Sequence, residues 1–257
     1  MKRVFAAAVL AAASAAALAS PISTTVDFSN GQQGWDAGPP FDGNQGVWID
    51  ASLGNGAPAL HTVNPETFGV HWSTTGNQAF IGNYGASASV TLGIDVLANS
   101  IVYLGREVHR RLVVELRDYD DPYQDMPYTS VWYDLGEIGA DKGGWQHLSV
   151  TIGDTAAAAL PAGWGGYGNT VDEPSLPPGR SFADVLASVD EISFTTFVPG
   201  YFYGWTAYDI AVDNIAISAD AEVPEPGSLA MLAGGLGVLA WARRRRTSGR
   251  HALERRT

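Results

Sequence analysis

The chain has 257 residues, no cysteine and a formal net charge of −12. Without cysteine there are no disulfides, thiolate metal ligands or cysteine nucleophiles. Residues 20–220 hold six basic against 24 acidic residues, a formal charge of −18, because the other nine basic residues lie near the two ends. Such an acidic segment repels phosphate backbones, so we do not expect it to bind nucleic acid.

The N-terminal segment 1–19 has the pattern of a secretory signal peptide. Lys2 and Arg3 precede an apolar run that ends in the small-x-small step Ala17-Leu18-Ala19. This order of basic start, apolar run and small residues is typical of a segment removed by signal peptidase. We predict cleavage after Ala19 and export of the remaining chain.

Residues 20–220 are dominated by short stretches in which apolar and polar residues alternate. In residues 88–97, for example, Val90, Leu92, Ile94 and Val96 share one face. Period-two alternation is typical of half-buried antiparallel strands. Comparable stretches are 68–72, 111–118, 129–136, 145–153, 191–198 and 207–218. Many strands with little helix predict an all-β fold, a two-sheet β-sandwich of jelly-roll type.

One short helix is expected in residues 181–191. Ser181 can cap its start, and Phe182, Val185, Leu186 and Val189 follow helical spacing.

Two long loops are predicted, 29–46 with Trp35 and 154–180 with Trp164 and Tyr167. Loops of this length in a compact domain are often functional, although plain surface insertions are an equal alternative.

Aromatic side chains on a rigid β-scaffold can stack on the faces of sugars. The candidate ligand-binding residues are Trp164 and Tyr167, which are flanked by glycines, together with Trp35 and Tyr203. Tyr203 belongs to the turn 199–205, which also holds Tyr201 and Trp205. The tryptophans on predicted strands are instead assigned to packing: Trp48, Trp72, Trp132 and Trp145.

Asp27 and Asp213 are candidate ligands for a structural calcium ion. The apolar parity of the last strand switches between Val212 and Ile215, which predicts a β-bulge at Asp213-Asn214 that re-aims Asp213. The alternative is an Asx-type hydrogen bond without a metal. A weaker calcium candidate is the acidic turn formed by Asp118, Asp120, Asp121 and Asp125.

No catalytic constellation can be assembled from the sequence. It contains neither G-x-S-x-G nor H-E-x-x-H. Glu115 and Asp118 have opposite parities on one strand, so they face opposite sheet surfaces. We therefore predict a protein that is not an enzyme.

The C-terminal region 221–246 places Pro224, Glu225 and Pro226 before an apolar helix and four arginines, Arg243, Arg244, Arg245 and Arg246. This order resembles a PEP-CTERM sorting domain. The resemblance implies a Gram-negative exported protein that an exosortase processes near the Pro-Glu-Pro step.

The apolar run 228–242 is shorter than the roughly 20 residues of a full membrane span. The arginines favour a cytoplasmic C-terminus, so we expect a transient tether in the inner membrane, with a permanent single-pass anchor as the alternative. A polar tail, 247–257, follows.

Residues 20–220 are also similar to laminin B-type and carbohydrate-binding jelly-roll modules. The similarity rests on Asp27-Phe28 and Gly34-Trp35 near the start and on Asp213-Asn214-Ile215 near the end. It implies a β-sandwich with a possible structural calcium near Asp27 and Asp213, and it implies no catalysis.

Taken together, these patterns favour a surface or extracellular-matrix protein that binds polysaccharide. Two alternatives stay open: a structural or adhesive protein with a protein partner, and a polysaccharide-degrading enzyme on a lectin-like sandwich.

Overall fold

The computed structural model describes residues 22–37, 46–56, 58–171 and 174–221. Twelve strands are found in this part of the chain: β1 (Ile22–Val26), β2 (Gly46–Asp50), β3 (Ala59–Thr67), β4 (His71–Thr74), β5 (Ser87–Tyr103), β6 (Arg106–Glu107), β7 (Arg110–Asp118), β8 (Thr129–Ile138), β9 (Gln146–Ile152), β10 (Trp164–Tyr167), β11 (Glu191–Thr195) and β12 (Thr206–Ala221). Two 3₁₀ turns, Tyr84–Ala86 and Ala140–Lys142, and one α-helix, α1 (Phe182–Leu186), complete it.

The first sheet has seven strands and is organised around the long antiparallel pair β5 and β12. Strand order is β2-β3-β12-β5-β6, with β1 also pairing with β12 and β9 with β5. The long strands can accept two partners along one edge. The first half of β12 pairs with β3 and its second half pairs with β1, in the register Ile22↔Ala219 to Val26↔Ile215.

The second sheet has five strands in the order β10-β8-β7-β11-β4. All its pairs are antiparallel. One face of this sheet packs on the seven-stranded sheet through alternate residues such as Leu112, Val114 and Leu116, which are fully buried. The opposite face carries the residues between them and is the face that positions the candidate site.

The two antiparallel sheets enclose one hydrophobic core, which confirms the predicted jelly-roll sandwich. The predicted helix is also confirmed. Ser181 caps α1 by accepting a hydrogen bond from the backbone N–H of Asp184, whose carboxylate in turn accepts from the N–H of Ser181. Phe182, Val185 and Leu186 bury the apolar side of α1.

The predicted irregularity in the last strand is present. The pairing of β12 with β5 shifts register between Asp213 and Ala216, and Asn214 has φ +47°. The shift allows Tyr208, Ile210 and Val212 before it, and Ile215 and Ile217 after it, all to face the core.

The predicted loop 154–180 differs from expectation, because it contains strand β10. Residues 164–167 pair with β8 and extend the five-stranded sheet by one edge strand. Two glycines interrupt the side-chain alternation of this strand, so the pattern gave no indication of it.

Within the residues that the structure describes, no helix is long and apolar enough to cross a membrane. The predicted signal peptide 1–19, the sorting region 221–246 beyond Ala221 and the tail 247–257 lie outside the described residues.

Candidate functional site

The outer face of the five-stranded sheet carries an open cavity of about 840 Å³. Its position follows from the alternation along β7 and β8. Arg111 of β7 and Trp132 and Asp134 of β8 point away from the core, while Leu112 and Val131 point into it. We call this cavity the aromatic groove, since five aromatic side chains line it: Tyr103, Trp132, Tyr201, Phe202 and Tyr203.

The rings of the aromatic groove are unusually accessible. Phe202 is 80% exposed and Tyr201 is 58% exposed. Both belong to the turn between β11 and β12, where Tyr201 and Tyr203 contact each other edge to face at 4.8 Å between ring centroids. Exposed aromatic rings around a cavity leave apolar surface that a ligand can cover.

Trp132 lies over a glycine of the neighbouring strand. A Cβ atom added to Gly165 would be 2.2 Å from Cε2 and 2.4 Å from Cζ2 of the Trp132 indole. The ring therefore occupies the space of the missing side chain and rests on the β10 backbone. Gly204 makes room for Tyr103 in the same way, with 2.5 Å to a ring carbon. These two glycines set the positions of two walls of the groove.

The groove also contains charged groups of both signs. Arg111 forms an ion pair with Asp134, which accepts a further hydrogen bond from the backbone N–H of Gly136. The hydrogen bond to Asp134 and its negative charge raise the pKa of Arg111. Such fixed polar groups beside aromatic rings can bind the hydroxyls or charged substituents of a ligand.

His109 and two carboxylates form a second polar cluster at the rim of the groove. Its Nε2 lies 2.6 Å from Asp141 Oδ1, and its Nδ1 lies 3.6 Å from Glu137 Oε2.

A smaller pocket of about 150 Å³ lies beside the groove on the same sheet face. Glu115, Arg117, Tyr128 and Tyr167 form its polar wall, and residues 198, 201 and 202 line both cavities. Arg117 donates to Glu115 and Glu191 and stacks over the Tyr128 ring at 4.8 Å. Burial and the nearby charge of Glu115 raise the pKa of Tyr167.

The four predicted ligand-binding residues divide into two groups. Tyr203 lines the aromatic groove and Tyr167 lines the smaller pocket. Trp35 and Trp164 are in the core, with exposed fractions of 1% and 8%. This corrects the expectation that both tryptophans present a ring to a ligand.

The physical reason for the correction is the role of the glycines around Trp164. In the sequence, flanking glycines favour an exposed ring, yet in the structure their missing side chains admit neighbouring residues. A Cβ on Gly163 would meet Tyr133 at 2.8 Å, and one on Gly166 would meet Leu176 at 2.7 Å. Trp164 itself packs edge to face on Phe182 at 5.1 Å between centroids.

Trp132 is the groove residue that sequence reasoning assigned to packing. Its parity along β8 is that of Ser130 and Asp134, opposite to the buried Val131. Two polar residues of the same parity are a signal that this face is not apolar core. Trp48 also departs from the predicted packing role, because it is 40% exposed and its ring centroid lies 4.4 Å from that of His61. Trp72 is fully buried, as predicted.

The candidate calcium ligands lie near the bulge. Asp213 is fully buried and accepts hydrogen bonds from the backbone N–H groups of Asn214 and Asn55, both at 2.7 Å. Burial, and then the negative charges of Asp95 and Asp27, raise the pKa of Asp213. The hydrogen-bond alternative is thus present at the bulge.

Of the acidic turn, Asp118 and Asp120 lie with Asp190 in a cluster in which one carboxylate oxygen of each residue is within 4.8 Å of the other two. Burial raises the pKa of Asp118, and Arg180 forms an ion pair with it. The guanidinium therefore already supplies the positive charge that this buried carboxylate requires.

Comparison with known protein families gives one match, the PEP-CTERM protein-sorting motif at residues 222–246. The match confirms the sorting signal recognised in the sequence. It marks the chain as an exported protein with a membrane-anchored sorting signal of the type that exosortases process. A search of curated proteins gives no match.

Among solved structures, the chain is similar to two carbohydrate-binding modules from Clostridium thermocellum. The family 11 module in complex with a β-1,3-1,4-mixed-linked tetrasaccharide is 12% identical, with 78% of this chain and 97% of that chain covered and a TM-score of 0.46. The family 30 module of a cellulosomal cellulase is 11% identical, with 79% and 99% covered and a TM-score of 0.43.

A third similar structure is the endo-1,4-β-D-xylanase 10B of Clostridium thermocellum, complexed with xylohexaose. It is 10% identical with a TM-score of 0.42; 77% of this chain is covered, and the chain spans 28% of the xylanase chain.

Proposed function

We propose that residues 20–220 form a non-catalytic module that binds polysaccharide in the aromatic groove. The observation that carries the proposal is the combination, in one open cavity of about 840 Å³, of five aromatic rings with fixed charged groups. Pyranose rings have apolar C–H faces that stack on aromatic rings, and their hydroxyls bind the charged groups between them. The cavity is also within the usual size range of ligand sites.

The test is binding of purified residues 20–221 to a panel of soluble polysaccharides by affinity gel electrophoresis. This segment forms one compact unit and contains the whole described core, so we expect it to fold without the two ends. Trp132→Ala should weaken retardation by the bound polysaccharide. Trp48→Ala is the matched control, because Trp48 is an exposed tryptophan on the other sheet. Equal losses in the two variants, or no retardation by any polysaccharide, would contradict the proposal.

A protein ligand is the second candidate, and it is supported by apolar residues close to the groove. Leu104 is 82% exposed, and Phe68 and Trp205 contact each other edge to face with both rings about half exposed. An adhesive surface would use this patch rather than the groove. Leu104→Asp should then abolish retention of the module on cells while polysaccharide binding persists.

A hydrolase has less support in the groove. Both described carboxylates of the cavity are engaged, Asp134 by Arg111 and Glu137 by the ring of His109. Release of reducing ends from a bound polysaccharide would establish this alternative.

We also propose a route for delivery. Arg243–Arg246 keep the C-terminus cytoplasmic while the apolar run tethers the chain to the inner membrane. An exosortase then cuts near Pro224–Pro226 and passes the module to the cell surface or matrix. The mass of the protein recovered outside cells, with and without the exosortase, tests the route. An unchanged mass, or secretion of the full C-terminus, would contradict it.

Finally, we propose that Asp27 and Asp213 hold a structural calcium ion. The support is that Asp213 is fully buried and that burial, followed by the negative charges of Asp95 and Asp27, raises its pKa. A bound cation would offset this negative charge and link the first and last strands of the module.

A further inference from the structure

Basic residues are concentrated beside the groove, although the module as a whole is strongly acidic. Of the six basic residues in 20–220, Arg106, Arg110, Arg111 and Arg117 lie on the consecutive strands β6 and β7. Arg110 and Arg111 are in the wall of the aromatic groove. The groove is therefore an exception to the negative charge that surrounds it.

Both carboxylates that line the groove have a neighbour other than Arg110. Asp134 forms an ion pair with Arg111, and Glu137 Oε2 lies 3.6 Å from Nδ1 of His109. Within the described part of the chain, no ion pair with an N···O distance of 4.0 Å or less includes Arg110.

Arg110 is nevertheless buried, with an exposed fraction of 7%. Its guanidinium donates to the carbonyl of His109 at 2.9 Å and to the Thr206 hydroxyl at 2.8 Å. Its Nε–H has no acceptor. The carbon of the guanidinium lies 4.4 Å from the centroid of the Tyr203 ring and 5.7 Å from that of Tyr103.

These partners stabilise a cation without neutralising it. Two neutral acceptors and two aromatic faces leave a full positive charge at low exposure, and a buried charge is unfavourable unless an opposite charge compensates it. An arginine held between two rings that themselves line the groove is well placed to attract an anionic group of a ligand. Guanidinium groups bind carboxylates with strong, directional hydrogen bonds.

We infer that the groove selects an acidic polysaccharide, one built from uronic acids, and that Arg110 supplies the positive charge opposite a carboxylate of the ligand. This inference rests on the proposed function, because it assigns a ligand class to the same groove. The stacked tyrosines contact the sugar ring beside that carboxylate. The acidic surroundings of the groove then disfavour carboxylates at any other position.

The experiment compares two polymers with the same backbone, polygalacturonate and its fully methyl-esterified form. Purified residues 20–221 are titrated with each at about 0.15 M salt, where charges more than about 8 Å away are largely screened. We expect at least tenfold tighter binding of the free acid, equivalent to about 1.4 kcal/mol. Equal binding of the two polymers, or preference for the ester, would overturn the inference and leave the proposed function intact. Failure to bind these polymers and every neutral polysaccharide would remove both.

Substitutions test whether Arg110 is responsible for the preference for the free acid. Arg110→Met keeps an unbranched side chain without charge and should reduce the ratio of the two affinities to about one. Arg106→Gln is the matched control, because it removes the same charge from an exposed position four residues away. If Arg106→Gln reduces the ratio as much as Arg110→Met does, general charge and not a contact at Arg110 sets the preference, and the inference fails. The wild-type comparison stands even if Arg110→Met does not fold.

Discussion

Adding one methyl group at Gly165 is expected to weaken ligand binding without unfolding the module. In Gly165→Ala the new Cβ would lie 2.2 Å from Cε2, 2.4 Å from Cζ2 and 2.6 Å from Nε1 of Trp132. Ordinary carbon contacts begin near 3.5 Å, so the indole has to move by about 1 Å. The ring can move outward into the open groove, whereas the sheet backbone below it cannot yield.

The cost to stability should be small and the cost to binding measurable. Overpacking a filled position costs about 1–3 kcal/mol, and replacing glycine in a strand by alanine returns about 0.5–1 kcal/mol of it. If the Trp132 ring is displaced, the bound ligand loses a stacking contact of about 0.5–1.5 kcal/mol. This loss corresponds to about 2- to 12-fold weaker binding.

The assay is affinity electrophoresis with the polysaccharide that the wild type binds, together with urea unfolding of the same samples. Gly153→Ala is the matched control, because a Cβ at Gly153 meets no atom within 4 Å. The reasoning is refuted if Gly165→Ala binds as tightly as Gly153→Ala. It is also refuted if Gly165→Ala unfolds the module, since the ring would then lack the freedom to move outward.

Three further outcomes are expected. Asp213 has a raised pKa in the folded state, so its proton stabilises the fold at low pH and this contribution is lost as the pH rises through the folded pKa. The proposed calcium ion would replace this proton, so the difference in Tm between calcium and EDTA should grow from acid to neutral pH and vanish in Asp213→Asn; identical curves would exclude the site. Trp164→Ala should lower the free energy of unfolding by about 3–5 kcal/mol, because the ring is core, and a stable variant defective only in binding would contradict this. Ser181→Ala removes the α1 cap and should cost about 1 kcal/mol in urea unfolding, against no change for an exposed serine such as Ser149.

The architecture could be predicted because side-chain alternation in this sequence is strong wherever a strand has one buried face. The switch of parity after Val212 located the bulge at Asp213 correctly. Strand β10 was missed for the opposite reason. Gly165 and Gly166 have no side chains to alternate, and the strand is recognisable only from its pairing with β8.

The site was harder to predict than the fold. Tyr203 could be named as a candidate because the sequence places it in a turn between strands together with Tyr201 and Trp205. Burial of Trp35 and Trp164 depends on residues distant in sequence, Phe80 and Phe182, which no local pattern reveals. The sequence likewise could not show that Arg110 lies apart from carboxylates, because this depends on its three-dimensional neighbours. In the sequence, Glu107 is only three residues away and would be an obvious partner.

The strand that leads towards the sorting motif has a mechanical consequence. Ala221 ends β12, whose second half lies between β1 and β5. Hydrogen bonds of an antiparallel pair are perpendicular to the strands. A pull at Ala221 directed along the axis of β12 therefore acts on the bonds of both edges together, in shear. Along that axis the module presents to its own C-terminus the direction in which a β-sheet is strongest.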